Sequence, residues 1–196
     1  MSKSDITREL IIDRSIPIFN TKGYHATSLS DITKATGITK GAIYGNFKNK
    51  DEVASSAFDK ASNLVMQQLG SRIRAQNTCP LKLKAIVDYY SEYILNPPIE
   101  GGCPILNTSV EADDNHDKLR MKVVSKITMI KSDLSKVVYR GIKEGQIKPD
   151  TNVEQFVSFF YASINGAILL ARAEGNHRSY EQTKEILIEM IDKIST

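Results

Sequence analysis

The sequence TSLSDITKATGITKGAIYGNFKNK, residues 27–50, decides the fold of the N-terminal part of this chain. A helix that begins near Thr27 or Ser28 has a hydroxyl available to cap its first turn. Gly37 permits a sharp turn after it, and Thr39 can cap a further short helix. Two short helices joined in this way predict a helix-turn-helix, a motif that places its second helix in the major groove of DNA.

The charge of this stretch supports the same prediction. The chain has a net charge of +3, which is too small by itself to indicate a nucleic-acid partner. Residues 33–50, however, contain four lysines and no acidic residue. These lysines are Lys34, Lys40, Lys48 and Lys50. We therefore expect a local positive potential around the second of the two helices.

Composition and length limit the other classes of protein. The 196 residues are 41% hydrophobic and 25% charged, which is ordinary for a globular protein of one or two domains. We find no apolar run near the roughly 20 residues of a membrane span and no secretory signal at the start. The two cysteines, Cys79 and Cys103, are too few for a disulfide framework. We therefore expect a soluble cytoplasmic protein whose cysteines are thiols.

Helical periodicity dominates the sequence, so the predicted fold class is all-α with about nine helices. The first helix should run from about Asp5 to Lys22, with Gly23 at its end. The N-terminal three-helix helix-turn-helix domain, a connector helix and a C-terminal helical bundle are predicted at residues 1–50, 51–75 and 76–196. Within the bundle we predict helices over about 117–144, 153–174 and 179–194, and an irregular segment at 96–104.

The N-terminal pattern resembles the TetR family of transcriptional repressors over about the first 55 residues. The matching positions are Phe19, Gly23-Tyr24, Thr27-Ser28, Asp31-Ile32, Gly37-Ile38-Thr39-Lys40-Gly41, Tyr44, Phe47-Lys48 and Lys50. The resemblance implies a helical body that binds a small molecule and dimerises through its last two helices. The chain departs from the family at Gly45, where relatives often carry a larger, aromatic side chain.

The third helix is expected to contact DNA in two ways, through base edges and through phosphates. Lys40, Ala42 and Asn46 are the predicted base contacts. The predicted phosphate contacts are Thr27, Thr39, Tyr44, Lys48 and Lys50, and Gly41 belongs to the same surface. The alternative for Tyr44 and Lys48 is that they only cover the small core.

The last two helices carry apolar residues suited either to a dimer interface or to an internal core. We predict a homodimer whose two heads engage successive half-sites of a palindromic operator on double-stranded DNA. The predicted interface residues are Phe156, Phe160, Ile164, Ile168, Leu187, Met190 and Ile191. An intramolecular core is the alternative for the same residues.

Aromatic and polar residues of the body combine the features of an effector cavity. The predicted effector-binding residues are Tyr89, Tyr90, Tyr93, Cys103, Asn107, Phe160 and Asn165. The motif at residues 101–107, Gly-Gly-Cys-Pro-Ile-Leu-Asn, resembles one found in a subset of the family. Simple packing is the alternative for the tyrosines. For Cys103 the alternatives are packing or a thiol that senses electrophiles or oxidants.

Two further hypotheses concern chemistry. The acidic run Glu111, Asp113, Asp114, His116 and Asp117 contains metal-ligand types, but its spacing matches no strong metal motif, and a helix terminus capped by Asp114 or Asn115 is favoured. An all-α enzyme using Cys103 with His116 would lack a third orienting group. We therefore predict a repressor that a small-molecule effector releases from DNA, with no catalytic residue, metal or cofactor.

Overall fold

The computed structural model describes residues 2–112 and 116–196. Those residues form nine α-helices, which confirms the all-α prediction. The helices are α1 (Lys3–Ala26), α2 (Leu29–Thr36), α3 (Lys40–Asn46), α4 (Lys50–Arg74), α5 (Cys79–Leu95), α6 (Pro104–Ala112), α7 (Asp117–Lys143), α8 (Val153–Glu174) and α9 (Arg178–Ile194).

The ends of α1 follow local sequence signals. The Ser2 hydroxyl accepts the Asp5 N–H at 3.1 Å, and the Asp5 carboxylate accepts the Ser2 N–H at 2.7 Å. This reciprocal pair satisfies two N–H groups at the start of the helix. At the other end Gly23, with φ 82° and ψ 170°, kinks the helix, and a short helical segment then continues to Ala26. The helix was predicted to end at Gly23; the structure shows a kink there, and the helix resumes after it.

The chain divides into two compact units, each made of two stretches. The first comprises Met1–Val65 and Pro97–Ser125, and the second comprises Met66–Asn96 and Lys126–Thr196. The sequence predicted a separate N-terminal domain of residues 1–50 and assigned everything after residue 75 to the body. In the structure, residues 97–125 belong to the first unit. The physical reason is that Glu111 and Asn107 of α6 form hydrogen bonds with the end of α1.

The core of the first unit is apolar and small. Ile32 of α2 and Ile43 of α3 are fully or almost fully buried against α1. The other buried members are Ile11, Ile12, Phe47 and Val53, with Ile16, Phe19, Leu29 and Ile38 packed partly buried around them. This core fixes α2 and α3 against α1, and it leaves the opposite side of α3 exposed.

The second unit packs α5, α8 and α9 together. Tyr180 of α9 is completely buried, and its hydroxyl donates to the Val87 carbonyl of α5 at 2.8 Å. Burial raises the pKa of the Tyr180 hydroxyl, so it stays a neutral donor. Among the described helices, α8 alone is long and apolar enough to cross a membrane by length and composition. One face of it is core, with Phe160, Ile164 and Ala171 all buried.

Candidate DNA-binding site

The helix-turn-helix forms because each of its ends has a local hydrogen bond. The Ser28 hydroxyl caps α2 by accepting the Asp31 N–H at 3.2 Å, and Lys22 pairs with the Asp31 carboxylate at 2.8 Å. The hydrogen bond from Lys22 lowers the pKa of Asp31, which keeps it charged at the positive end of the helix. Gly37 ends α2 in the left-handed region, at φ 70°, and Thr39 caps α3 by accepting the Ala42 N–H at 3.3 Å.

The face of α3 opposite the core is exposed and carries Lys40, with no acidic residue in the helix. Lys40, Ala42 and Tyr44 are exposed, with 51% of the Tyr44 surface accessible, whereas Ile43 is buried. The alternative in which Tyr44 only covers the core therefore fits poorly. Within residues 2–112 and 116–196, the ammonium groups of Lys34, Lys40 and Lys48 make no hydrogen bond or ion pair; all three are exposed.

Both exposed glycines of α3 face open space. A Cβ added at Gly41 or Gly45 would meet nothing within 4 Å. The absence of a side chain at Gly45 is therefore not required by packing. Gly45 leaves this position of the exposed α3 surface without a side chain.

Thr27 is not available to a phosphate, which corrects its predicted role. It is buried, with 1% of its surface exposed, and its hydroxyl donates to the Gly23 carbonyl at 2.6 Å. Thr27 thus joins the kink of α1 to the start of the helix-turn-helix. Ser28, the next residue, supplies the helix cap that the sequence assigned to either of them.

Lys50 and Asn46 are held by the protein itself, and their predicted DNA contacts stay predictions. The Lys50 ammonium donates to the carbonyls of Tyr24 and Thr27 at 2.8 and 2.9 Å and lies 4.0 Å above the Tyr24 ring. The Asn46 amide donates to the Ala42 carbonyl at 2.8 Å. Its oxygen accepts the Ser4 hydroxyl at 3.1 Å. These contacts favour a structural role for both residues.

Arg8 is a residue of this region that the sequence analysis missed. Its guanidinium lies 4.0 Å above the Phe47 ring, and it donates to the Asn46 carbonyl at 2.5 Å and to Glu52 at 3.2 Å. Arg8 therefore holds the C-terminal end of α3, where the last carbonyls lack helical partners. The sequence alone does not indicate this role, because an arginine on an amphipathic helix is usually an exposed surface residue.

A second set of contacts ties α6 to the end of α1. The Glu111 carboxylate accepts the N–H groups of Tyr24 and His25 at 2.6 and 2.8 Å. A Cβ at Gly23 would lie 2.6 Å from that carboxylate. Glu111, which the sequence placed in an acidic run, thus fills the place where the kinked α1 exposes two backbone donors. We call the contacts that Glu111 and Asn107 of α6 make with the end of α1 the α6–α1 junction.

Asn107 is the second part of the α6–α1 junction. Its amide donates to the Asn20 backbone and side-chain oxygens at 3.0 Å and to the Gly101 carbonyl at 2.8 Å. The Asn20 amide in turn donates to the carbonyls of Glu100 and Gly102 at 2.7 Å. These contacts use the amide donors of Asn107 within the protein, and its predicted effector role stays a prediction.

Tyr24, Asp51 and His116 form a polar cluster in the first unit. The Tyr24 hydroxyl donates to Asp51, and His116 Nε2 lies 3.6 Å from the same carboxylate. Burial, followed by the Asp51 hydrogen bond, raises the pKa of Tyr24. The Tyr24 hydrogen bond lowers the pKa of Asp51. His116 Nδ1 accepts the Leu119 N–H at 3.2 Å, so it caps α7.

These contacts bear on the two chemical hypotheses. Both His116 nitrogens face partners within the protein, and Cys103 is buried with 4% of its surface exposed. A base for a Cys103 nucleophile is therefore already engaged, and burial favours packing for the thiol. Asp113, Asp114 and Asn115 lie outside the described residues. The described remainder holds no cluster of three metal-ligand side chains.

The predicted effector residues fall into two groups. Tyr90, Phe160 and Asn165 line a cavity of the second unit of about 130 Å³. Tyr89 and Tyr93 are buried in the same unit, and the Tyr93 ring lies 5.8 Å from the Tyr90 ring. Cys103 and Asn107 belong to the first unit and do not line this cavity.

Most of the cavity wall was not identified from the sequence. Most of it is contributed by apolar positions of α4, α5, α7 and α8 that looked like ordinary core residues, together with Asp133 and Tyr161. The additional lining residues are Met66, Leu69, Ile73, Ile86, Ile130, Asp133, Leu134, Val137, Tyr161 and Ile164. Helical periodicity shows which residues face inward. It does not show whether inward-facing side chains pack against one another or leave a cavity between them.

The predicted dimer-interface residues face the interior of the single chain rather than its surface. Phe156, Phe160, Ile164, Ile168, Leu187 and Ile191 are all buried within the single chain, and Met190 is half-buried. They form the core of the second unit, as the alternative stated. The opposite face of α8 exposes Phe159, Leu169 and Leu170, each with more than half of its surface accessible, and α9 exposes Ile186 to 57%.

Two families match the sequence, one for each end of the chain. Residues 11–57 match the family described as bacterial regulatory proteins, tetR family. Residues 80–187 match the family described as tetracyclin repressor-like, C-terminal domain. Together they cover the helix-turn-helix and most of the body.

Solved structures and named relatives agree with those families. A TetR-family transcriptional regulator from Cytophaga hutchinsonii is 39% identical with a TM-score of 0.93, covering 100% of this chain and 98% of its own. A TetR transcriptional regulator from Chloroflexus aurantiacus is 32% identical with a TM-score of 0.95 and the same coverage. The HTH-type transcriptional repressor DhaR of Mycobacterium sp. is 23% identical over 94% of this chain and 91% of its own length. All three are transcriptional regulators rather than enzymes.

Proposed function

The chain belongs to the TetR family of bacterial regulatory proteins, and on that basis we propose a homodimeric repressor that a small molecule releases from a palindromic operator. The exposed face of α3 that carries Lys40 supports this proposal most directly. Lys40 and Ala42 are exposed and have side chains suited to base edges, while Thr39, Tyr44 and Lys48 have side chains suited to phosphates. A cytoplasmic location follows, because the DNA partner is there.

The dimer is inferred from an exposed apolar face of the second unit. Phe159, Leu169 and Leu170 on α8, with Ile186 on α9, leave large side chains in water on helices whose other faces are already packed. A Cβ added at Gly166, on the same side of α8, would meet nothing within 4 Å, so another helix has room to approach closely there. A two-fold interface on this face would give the molecule two α3 helices, which a palindromic operator with half-sites roughly 34–36 Å apart requires.

The effector is assigned to the cavity lined by Tyr90, Phe160 and Asn165. A ligand releases DNA only if it binds the non-binding conformation more tightly than the DNA-binding one. Helices α4 and α7 each contribute residues to both units. We further infer that the Gly-Cys-Pro motif places this chain in a subset of the family; in this chain the motif directly follows Gly101, whose carbonyl accepts from Asn107.

Selection of bound sequences from a random DNA pool, followed by gel shifts, tests the repressor. Wild-type protein should bind one palindromic sequence far more tightly than random duplex. Lys40→Ala should weaken that binding about 10- to 100-fold and relax the preference at one position in each half-site. Lys143→Ala, which removes an exposed lysine of α7, is the matched control and should bind as wild type. Binding that depends on salt but not on sequence would overturn the proposal.

The interface has its own test. Leu169→Glu places a charge in the exposed apolar face of α8 and should convert the dimer to a monomer in sedimentation measurements. Ser132→Glu introduces the same charge at an exposed polar position of α7 and should leave the dimer intact. A Leu169→Glu protein that remains fully dimeric would move the interface elsewhere.

A further inference from the structure

The cavity of the second unit is small and almost wholly apolar. Its volume of about 130 Å³ is close to the roughly 150 Å³ of an engineered cavity, lined by Leu, Ile and Phe, that stays dry and binds benzene. Leu134, Phe160 and Ile164 are buried members of the wall. The space therefore matches one six-membered ring, and a fused polycyclic compound would need the wall to move.

The charges of the wall select against anions. Within the described lining, Asp133 is the one charged side chain, and no lysine, arginine or histidine is present. A carboxylate or phosphate in the cavity would lie unpaired in an apolar space, which costs several kcal/mol. Asp133 is itself paired with Lys136 at 2.7 Å, and its side chain is 57% exposed. Its charge is thus already balanced at the rim, so a cationic ligand gains little from it.

Asn165 supplies the polar anchor. Its amide N–H donates to the Tyr161 carbonyl one turn earlier on α8, at 2.8 Å. The Asn165 oxygen accepts no hydrogen bond within the part of the chain described, and the residue lines the cavity. An acceptor presented in an apolar space is matched by a ligand that donates a hydrogen bond.

We propose that the effector is an uncharged compound with a single six-membered ring and one hydrogen-bond-donating substituent, of the kind represented by phenol. The ring occupies the apolar space, and its hydroxyl or N–H group donates to the Asn165 oxygen. This inference rests on the assignment of the effector to this cavity, and it adds the chemical class that the cavity selects.

Calorimetric titration of the full-length dimer with phenol, benzene and benzoate tests the class. Phenol should bind most tightly, benzene more weakly, and benzoate not measurably. Asn165→Leu keeps an apolar wall without the acceptor, so it should weaken phenol about 3- to 10-fold, corresponding to one hydrogen bond, and leave benzene unchanged. Val137→Phe should fill the space and abolish binding of both rings.

Gel shifts with the selected operator keep the two proposals separate. Val137→Phe and Asn165→Leu should still bind the operator, which shows that both variants are folded. Operator binding with no binding of phenol, or benzoate binding as tightly as phenol, would overturn the ligand class and leave the repressor intact. Phenol binding that Asn165→Leu and Val137→Phe do not reduce would also overturn it. Phenol binding without release of the operator would instead overturn the proposed effector function.

Discussion

The two units of this chain are stabilised by different kinds of contact. In the first unit, side chains of α6 reach the backbone of α1 through hydrogen bonds, with Glu111 and Asn107 as the central residues. In the second unit, α5, α8 and α9 pack through apolar side chains, and part of the interior is left as a cavity. Directional hydrogen bonds fix how two helices are oriented, whereas apolar packing tolerates an enclosed space that a ligand can occupy.

Gly101→Ala tests the first unit most severely. Gly101 has φ +88°, and a Cβ there would lie 2.6 Å from the backbone oxygen of Asn20. We expect a loss of about 2–4 kcal/mol in the free energy of unfolding, from backbone strain and the clash together. Gly45→Ala is the matched control: it lies in a helix with open space around it and should be neutral or stabilising. Chemical denaturation measures both, and equal effects would remove the contrast.

Glu111→Ala should have the next largest effect. It removes the side chain that accepts two backbone N–H groups, and because Glu111 is only half-buried we expect about 1–2 kcal/mol of destabilisation. Operator affinity should fall as well, because α1 carries the helix-turn-helix. Glu185→Ala, at an exposed position of α9, is the control for loss of a carboxylate. Unchanged stability and operator binding would mean that the α6–α1 junction does not hold α1.

Tyr180→Phe tests whether the second unit depends on polar contacts too. It removes one buried hydroxyl that donates to the Val87 carbonyl, at a position where the ring packing stays the same. We expect a loss of about 1 kcal/mol with no change in operator affinity. A loss as large as that of Glu111→Ala, which removes two hydrogen bonds, would show that one hydrogen bond matters more here than in the first unit.

Tyr24→Phe gives the smallest effect, and it depends on pH. The Tyr24 hydrogen bond lowers the pKa of Asp51 below its unfolded value of about 4. This contact therefore stabilises the fold fully above that pH, and its contribution is lost as the pH falls through the folded pKa. Tyr24→Phe should cost less than about 1 kcal/mol near neutral pH and still less near pH 3. A cost that does not vary with pH would assign it to packing.

The sequence predicted the parts of this molecule that depend on local signals. Gly23, the cap of α2 and the turn at Gly37 follow from residue types a few positions apart, and so do the bounds of α8. Lys40 and Ala42 could be identified as exposed, because Ile43 and Phe47, four positions apart, had to face the core.

The parts that were missed depend on contacts between distant residues. Glu111 meets Tyr24 across 87 positions of sequence, so an acidic residue in an acidic run carried no sign of its partner. The inward and outward faces of α8 are both apolar, and periodicity therefore could not tell Phe160 in the core from Phe159 on the surface. Thr27 was misassigned because a hydroxyl at a helix start suits a phosphate and a buried carbonyl equally well.

The pairing of α6 with α1 sets a rule for building hybrid regulators. A hybrid that exchanges operator preference could be made by joining two proteins of this kind at one position after α3 or α4. Such a hybrid would take α1 from one parent and residues 97–125 from the other. Glu111 and Asn107 would then face a foreign α1, and Gly101 a foreign Asn20. A transplant in two pieces, which carries residues 97–125 along with the first helices, keeps these partners together, so the inserted fragment should be chosen by this discontinuous boundary.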